Sequence, residues 1–272
     1  MTRILFWNIR GRPLEAIIAQ AAIEQNADIV IICEHGSRIA HIEAALNKAD
    51  PNKRAAYVKP VLKRHASLAL FSRMKAGKLA TVTEHSHCLV HALQRSNGEE
   101  LLIASVHLSS PMHQSERDLM ILAQDSADLI RDQESQRRHR QTLVVGDFNM
   151  DPYHPGMIAS HCFHAVMDRR LAMEESRVIQ KQEHYFFYNP MWSRLVDDSP
   201  GPPGSYFYRK ASPECHFWHA WDQVLVRPAI LGHFNNARLS VITQIGATQL
   251  LDQKGRPNLK KYSDHLPIAF EI

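Results

Sequence analysis

Several apolar runs along the chain end in, or start from, a side chain that can hold a metal or move a proton. Ile4–Trp7 ends at Asn8, Asp28–Cys33 at Glu34, Leu101–Val106 at His107, and Leu143–Gly146 at Asp147, with Asn149 two residues on. Asp222 opens the run Val224–Val226, and Asp264-His265 opens the last one, Leu266–Phe270. Strands packed side by side would gather these ends on one rim. A rim of carboxylates with two imidazoles outlines a metal-assisted hydrolase site.

Two local motifs give this outline more detail. In Gly146-Asp147-Phe148-Asn149 an apolar strand delivers a glycine, expected to let the chain turn sharply. Asp and Asn two apart point the same way if the backbone stays extended. Such a carboxylate can orient a water and accept its proton, and the amide can hold a phosphate oxygen without adding negative charge. In Tyr262-Ser263-Asp264-His265-Leu266-Pro267, adjacent Asp and His on a strand would face opposite ways, so at least one must sit in a bend. Glu34 closes a run too apolar for a surface strand.

The elements that must position these residues follow from periodicity. Ile4–Asn8 and Ile29–Glu34 are predicted strands, with a helix between them from Pro13 to about Gln25 and a second helix after Ser37. Residues 67–72, 79–84, 88–93 and 101–108 are predicted as short strands, with Asn97-Gly98 as a hairpin turn. A long helix is expected over about 115–136, its basic Arg137-Arg138-His139-Arg140 end suiting a helix C-terminus. Residues 184–221 hold eleven aromatics and a Pro/Gly-rich stretch, and are expected to form a long irregular loop region. Strands are expected over 223–226, 239–245 and 267–272. Strand–helix alternation, a meander and alternation again predict an α/β fold of two packed sheets with helices outside, in one domain spanning 1–272.

Bulk properties restrict the class. A 44% hydrophobic, 22% charged chain is an ordinary globular composition. The net charge of +4 favours a polyanionic partner, mildly. Four cysteines without a CxxC pair suggest no disulfide framework, hence a reducing, cytoplasmic setting. His161-Cys162-Phe163-His164 and Cys215-His216-Phe217-Trp218-His219 match no standard zinc-finger spacing. The N-terminus is too short and polar for a signal peptide, and no apolar run reaches the ~18 residues of a membrane span.

Taken in order, Asn8, Glu34, His107, Asp147-x-Asn149, Asp222 and Asp264-His265 resemble the endonuclease/exonuclease/phosphatase superfamily of DNase I-like and exonuclease III-like enzymes. The resemblance runs from Phe6-Trp7-Asn8 to Ser263-Asp264-His265, and residues 67–73 look like the family's third strand. It implies a phosphodiester or phosphomonoester hydrolase on a four-layer α/β/β/α sandwich of two packed mixed sheets. Carried over by position, Glu34 would be the main ligand of Mg²⁺ or Mn²⁺, with Asn8 and Asp264 completing or supporting that shell. Asp147 would align the attacking water and Asn149 hold the phosphate. His265 would contact the scissile phosphate, with Asp222 fixing its tautomer. His107 matches the DNase I-like and sphingomyelinase-like branches and would stabilise or protonate the leaving oxygen. Arg73, Tyr188, Trp192, Arg209 and Trp221 are candidates to touch substrate, as is Lys210.

Three departures narrow the reading. The usual Gln before Glu34 is replaced by Cys33, Arg10 stands where repair enzymes often carry an acidic residue, and Val145 replaces the tryptophan of the phosphoinositide phosphatases. His107, the basic balance and the aromatic-rich region make the expected activity a metal-dependent nuclease on DNA or RNA. The alternatives are an enzyme acting on a phosphorylated small molecule or lipid headgroup, and an inactive binding module.

Overall fold

Two mixed sheets face each other, and the alternation of side chains along their strands dictates what lies between them. The computed structural model describes residues 1–49, 56–60, 67–111, 114–209 and 215–272; Lys210 lies outside them. In chain order the main elements are β1 (Arg3–Asn8), α1 (Glu15–Glu24), β2 (Ile29–Cys33), α2 (Ile39–Ala49), β3 (Leu68–Ser72), β4 (Leu79–Glu84), β5 (Cys88–Gln94), β6 (Glu100–His107), α3 (Glu116–Arg137) and β7 (Thr142–Asp147). The first sheet has the order Ser240–Val241, Ile268–Glu271, β1, β2, β3. The second has the order β4, β5, β6, β7, Asp222–Val226, Phe187–Tyr188, Ala165–Val166.

Both sheets are covered on both faces, so their central strands read as unbroken apolar runs. In the second sheet Leu101, Ile103, Leu143, Val145, Val224 and Val226 point into the core shared with the first sheet and with α1 and α2. Their neighbours Leu102, Ala104, Val106, Val144 and Leu225 point instead into a separate core under α3. The result is the four-layer α/β/β/α sandwich.

Local signals explain both ends of α3. Ser115 caps α3 reciprocally with Asp118, and Arg138 closes it in the left-handed conformation. The basic end of α3 is structural: Arg137 pairs with Glu100 at 2.6 Å, and Arg140 lies 3.4 Å over the Tyr185 ring.

Two expectations need correction. The 239–245 strand splits, because Val241 pairs with Ile268 whereas Gln244–Ile245 turns back at Gly246 to pair with Thr248–Gln249. Within the region expected to be irregular, Ser176–Ile179 and Gln182–Tyr185 form a hairpin that reaches into it, and Phe187–Tyr188 joins the second sheet. The hairpin turn uses Gln180 and Lys181, both at positive φ, and neither residue type announces such a turn.

Candidate active site

The same alternation places the chemistry. His107 continues the inward series of Leu101 and Ile103, Asp147 that of Leu143 and Val145, and Asp222 that of Val224 and Val226. Register then aligns them: Asp147 is paired with His107 on one side and with Asp222 on the other. Three ionisable groups therefore stand in a row at one rim, facing the first sheet. Asn8 ends β1 opposite them, hydrogen-bonded through Nδ2 to Glu34 Oε1 and to Asp147 Oδ2, both at 2.9 Å.

Gly146 serves this row in a way the sequence does not announce. Its φ is not positive, so it makes no sharp turn; instead an added Cβ would lie 1.9 Å from the Val106 carbonyl oxygen. Close approach of β6 and β7 is what requires glycine, and that approach brings His107 beside Asp147. Glu34 does occupy the left-handed region, at φ 51, costly for a non-glycine residue. Its N–H donates to Ser67 O and its carbonyl accepts from Gly11 N, which fixes the turn. The bend expected near Asp264 is present, and His265 follows it in a bridge to Tyr206. The Trp7 indole donates to His265 O, and Ser263 Oγ donates to Asn8 O, tying this segment to β1.

The site has an open half and a closed half. In the open half, His107 Nε2 lies 3.5 Å from Glu34, whose side chain is 39% exposed. Ser67 Oγ is 2.6 Å from His107 Nδ1. The hydrogen bond from His107 holds the Glu34 carboxyl down at about 2 despite burial, with Asn8 assisting. Burial works against a charged His107, but Glu34 and Asp147 outweigh it and raise the imidazole. In the closed half, His265 Nδ1 lies 2.8 Å from Asp222 Oδ2, which also accepts from Ser205 Oγ at 2.6 Å. His265 Nε2 is 3.8 Å from Asp147. Burial would lower His265, yet the Asp222 and Asp147 charges lift it to about 10. Asp147 belongs to both halves.

Asn149, at φ 51, donates its N–H to Asp147 Oδ1 and its side-chain amide to Leu108 O, so it braces the end of β7. Asp264 turns its carboxylate to Arg10 at 3.5 Å, and Arg209 is exposed on a neighbouring groove. Trp221 is buried behind the site, stacked on Tyr206 at 4.2 Å, which makes it a packing neighbour and not a surface for substrate.

Arg73 and Tyr188 do not reach this rim. Arg73 hydrogen-bonds Asp28 and Asn26, at the ends of β2 and β3 remote from Glu34. Tyr188 is buried opposite Val226, at the far end of the strand that begins with Asp222, with its hydroxyl accepting from Asn236. Trp192 lines a separate cleft with Ile158 and Met167. Chain position shows that a residue flanks a strand, not which end of the sheet it occupies.

The supporting residues that sequence patterns do not flag are Ser67, Ser205, Tyr206 and a third His–carboxylate pair. In that pair His219 Nδ1 meets Asp151 at 2.7 Å. Gly204, at φ 138, lets Ser205 approach, since a Cβ there would lie 2.5 Å from His219 O.

The donor set suits a hard divalent cation. Ligand atoms of Glu34, His107 and Asp147 lie within 4.8 Å of one another, as do those of Asp147, Asp222 and His265. Carboxylate oxygens with an open side for water are what Mg²⁺ or Mn²⁺ prefers. Asn8 presents its amide nitrogen to the carboxylates, its Oδ1 accepting from Arg10 N. Among the described residues no cluster joins Cys162 or Cys215 to histidines.

The sequence model of the Endonuclease/Exonuclease/phosphatase family matches residues 5–265. No curated protein sequence matches the chain. Among solved structures, the chain is similar to the 3′ phosphatase NExo from Neisseria bound to product DNA hairpin, at 17% identity over 100% of this chain and 99% of that one, with a TM-score of 0.56. It is similar to the human Nocturnin catalytic domain with bound sulfate, at 15% identity, 99% and 93% coverage and a TM-score of 0.54. It is also similar to the endonuclease domain of TRAS1, a telomere-specific non-LTR retrotransposon, at 12% identity, 100% and 98% coverage and a TM-score of 0.53. At such identities these structures speak for the fold.

Proposed function

The chain belongs to the endonuclease/exonuclease/phosphatase family of metal-dependent phosphoesterases, and on that premise we propose that it is a nuclease, hydrolysing phosphodiesters of DNA or RNA by in-line attack of water. The observation that carries this reading is the row His107–Asp147–Asp222, closed from the opposite sheet by Asn8 and Glu34 and capped by His265.

Glu34 would be the main ligand for Mg²⁺ or Mn²⁺, with Asn8 and Asp264 supporting; such an ion would supply positive charge to neutralise that developing on the phosphate. Asp147 receives the proton of the attacking water. His265, held cationic by its carboxylate neighbours, donates through Nε2 to a phosphate oxygen, while Asp222 fixes the ring through Nδ1. Ser205 in turn fixes Asp222. Asn149 adds a neutral donor beside the phosphate. His107 stands on the Glu34 side of Asp147, away from His265, where it can protonate the leaving oxygen.

The four thiols are free, three of them buried, which favours a reducing compartment such as the cytoplasm. Among the described residues no helix is long and apolar enough to cross a membrane.

The test is cleavage of plasmid, single-stranded DNA and RNA with Mg²⁺ or Mn²⁺, with Asp147→Ala as control. Activity that needs the ion and drops ~10²-fold or more in the variant is expected. Cleavage of none of the three would overturn the nuclease reading, and turnover of phosphorylated small molecules alone would replace it with a phosphatase.

A further inference from the structure

A groove of about 930 Å³ opens beside the site, with Asp264 among its lining residues. Phe207, Tyr208 and Arg209 form one wall; the segment from Ala247 to Tyr262 forms the other. Among the described residues five basic side chains line it: Arg209, Lys254, Arg256, Lys260 and Lys261. Among the described residues its acidic side chains are Asp252 and Asp264. Asp252 accepts from the backbone N–H groups of Lys254 and Arg256, and Asp264 faces Arg10. The described lining, with more basic than acidic side chains, therefore carries net positive charge.

Its walls are fixed in place. Leu251 bridges to Pro257, Asp252 N donates to Arg256 O, and Arg12 holds Leu259 O. The Arg256 guanidinium lies 4.5 Å over the Phe207 ring and spans the two walls. Aromatic rings lead outward from the chemistry: Tyr206 lies 4.6 Å from His265, and Tyr208 runs nearly parallel to Tyr206 with centroids 6.4 Å apart.

We infer that this groove holds a single-stranded segment of the polynucleotide whose scissile phosphate lies at the proposed site. Lys254, Lys260 and Lys261 meet successive backbone phosphates, and an unpaired base lies against Tyr208. The inference rests on the nuclease reading, because Asp264, which lines the groove, adjoins His265. Its basic groups are spread along a loop and are not gathered into one fork, which suits a string of phosphates better than one phosphorylated headgroup. Aromatic faces add binding only if bases are unpaired, which favours a single strand over a duplex.

The test uses the full chain in EDTA, so that binding is measured without cleavage, and a fluorescein-labelled single-stranded 12-mer followed by anisotropy. Lys260→Gln/Lys261→Gln is expected to weaken binding about tenfold and to reduce the slope of log K against log salt by about 1.4, as for two lost phosphate contacts. Tyr208→Leu is expected to weaken it at least about fivefold with the slope unchanged. Circular dichroism checks that both variants fold.

Absence of saturable binding by the parent, equal binding by the variants, or equal affinity for a blunt duplex would overturn the inference. So would lysine-dependent binding to phosphatidylserine vesicles without binding of the strand. Strand binding that depends on these residues, in a protein that cleaves nothing with Mg²⁺ or Mn²⁺, would retain the groove and remove the nuclease reading. Metal-dependent cleavage of plasmid, single-stranded DNA or RNA by a protein whose strand binding is the same in the parent and both variants would do the reverse.

Discussion

His265 and His91 are both buried, at 6% and 0% exposure, and they reach opposite charge states. His265 sits at the rim against Asp222 and Asp147 and is raised to about 10. His91 sits in the middle of β5, on the face that Leu89 and Leu93 turn towards the other sheet. Burial lowers it to about 4, and neither ring nitrogen has a hydrogen-bond partner among the described residues. One layer between two sheets thus makes one imidazole a cation and the other neutral. The difference lies in carboxylates placed at strand ends, so burial alone does not mark a catalytic histidine.

The most direct way to break this contrast is to take the carboxylate from His265. Asp222→Asn keeps the shape but removes the charge that lifts the ring and fixes its tautomer. We expect kcat on a cleaved oligonucleotide to fall ~10²–10⁴-fold with thermal unfolding little changed. A fall under about tenfold in a folded variant would mean that His265 needs no partner.

Gly146→Ala acts on the strand that carries Asp147. The new Cβ would meet both the carbonyl and the side chain of Val106, so β6 and β7 must separate. A loss of about 3 kcal/mol in urea unfolding is expected. Wild-type stability in this variant would show that the close strand approach is not what demands glycine.

The other side of the contrast is tested by acid. The folded pKa of His91 lies below its ordinary 6.5, so the unfolded chain takes up the proton first. The stability linked to His91 is complete above about 6.5 and is lost as the pH falls through about 4. Between pH 7 and pH 5 this amounts to about 2 kcal/mol. His91→Leu is expected to remove about that much of the pH dependence measured by urea unfolding at the two pH values. An unchanged pH dependence would place a charge partner at His91.

How far the site was legible depends on what each residue's position rests on. His107, Asp147 and Asp222 extend alternating apolar series, so period and run length point to them. Glu34 ends an apolar run as well, though its left-handed backbone gives no sequence signal. Gly146 looked like a turn residue because glycine serves both turns and close packing, and only the neighbouring strand decides between them. Arg73 and Tyr188 misled because a single sequence hides which rim a residue occupies. Ser205 follows a Pro/Gly-rich stretch with no period, and Asp151 finds His219 only through the fold.

The smallest expected effect compares two serines behind the two catalytic-site histidines. Ser205 supports His265 at one remove, through Asp222; Ser67 touches His107 directly through Oγ. The Ser67 backbone carbonyl also receives the Glu34 N–H, and that bond does not depend on the side chain. Ser67→Ala therefore leaves the Glu34 turn in place and frees only the His107 ring. Because His107 is already held by Glu34 from the other nitrogen, the loss in kcat should stay within about tenfold, at the low end of what outer-shell partners contribute. KM and the metal concentration for half-maximal activity should be unchanged, since neither the groove nor the carboxylates move. A larger loss, recovered by raising Mg²⁺, would mean that Ser67 orients the open half as a unit, so that its histidine and its carboxylate could not be assigned separate tasks.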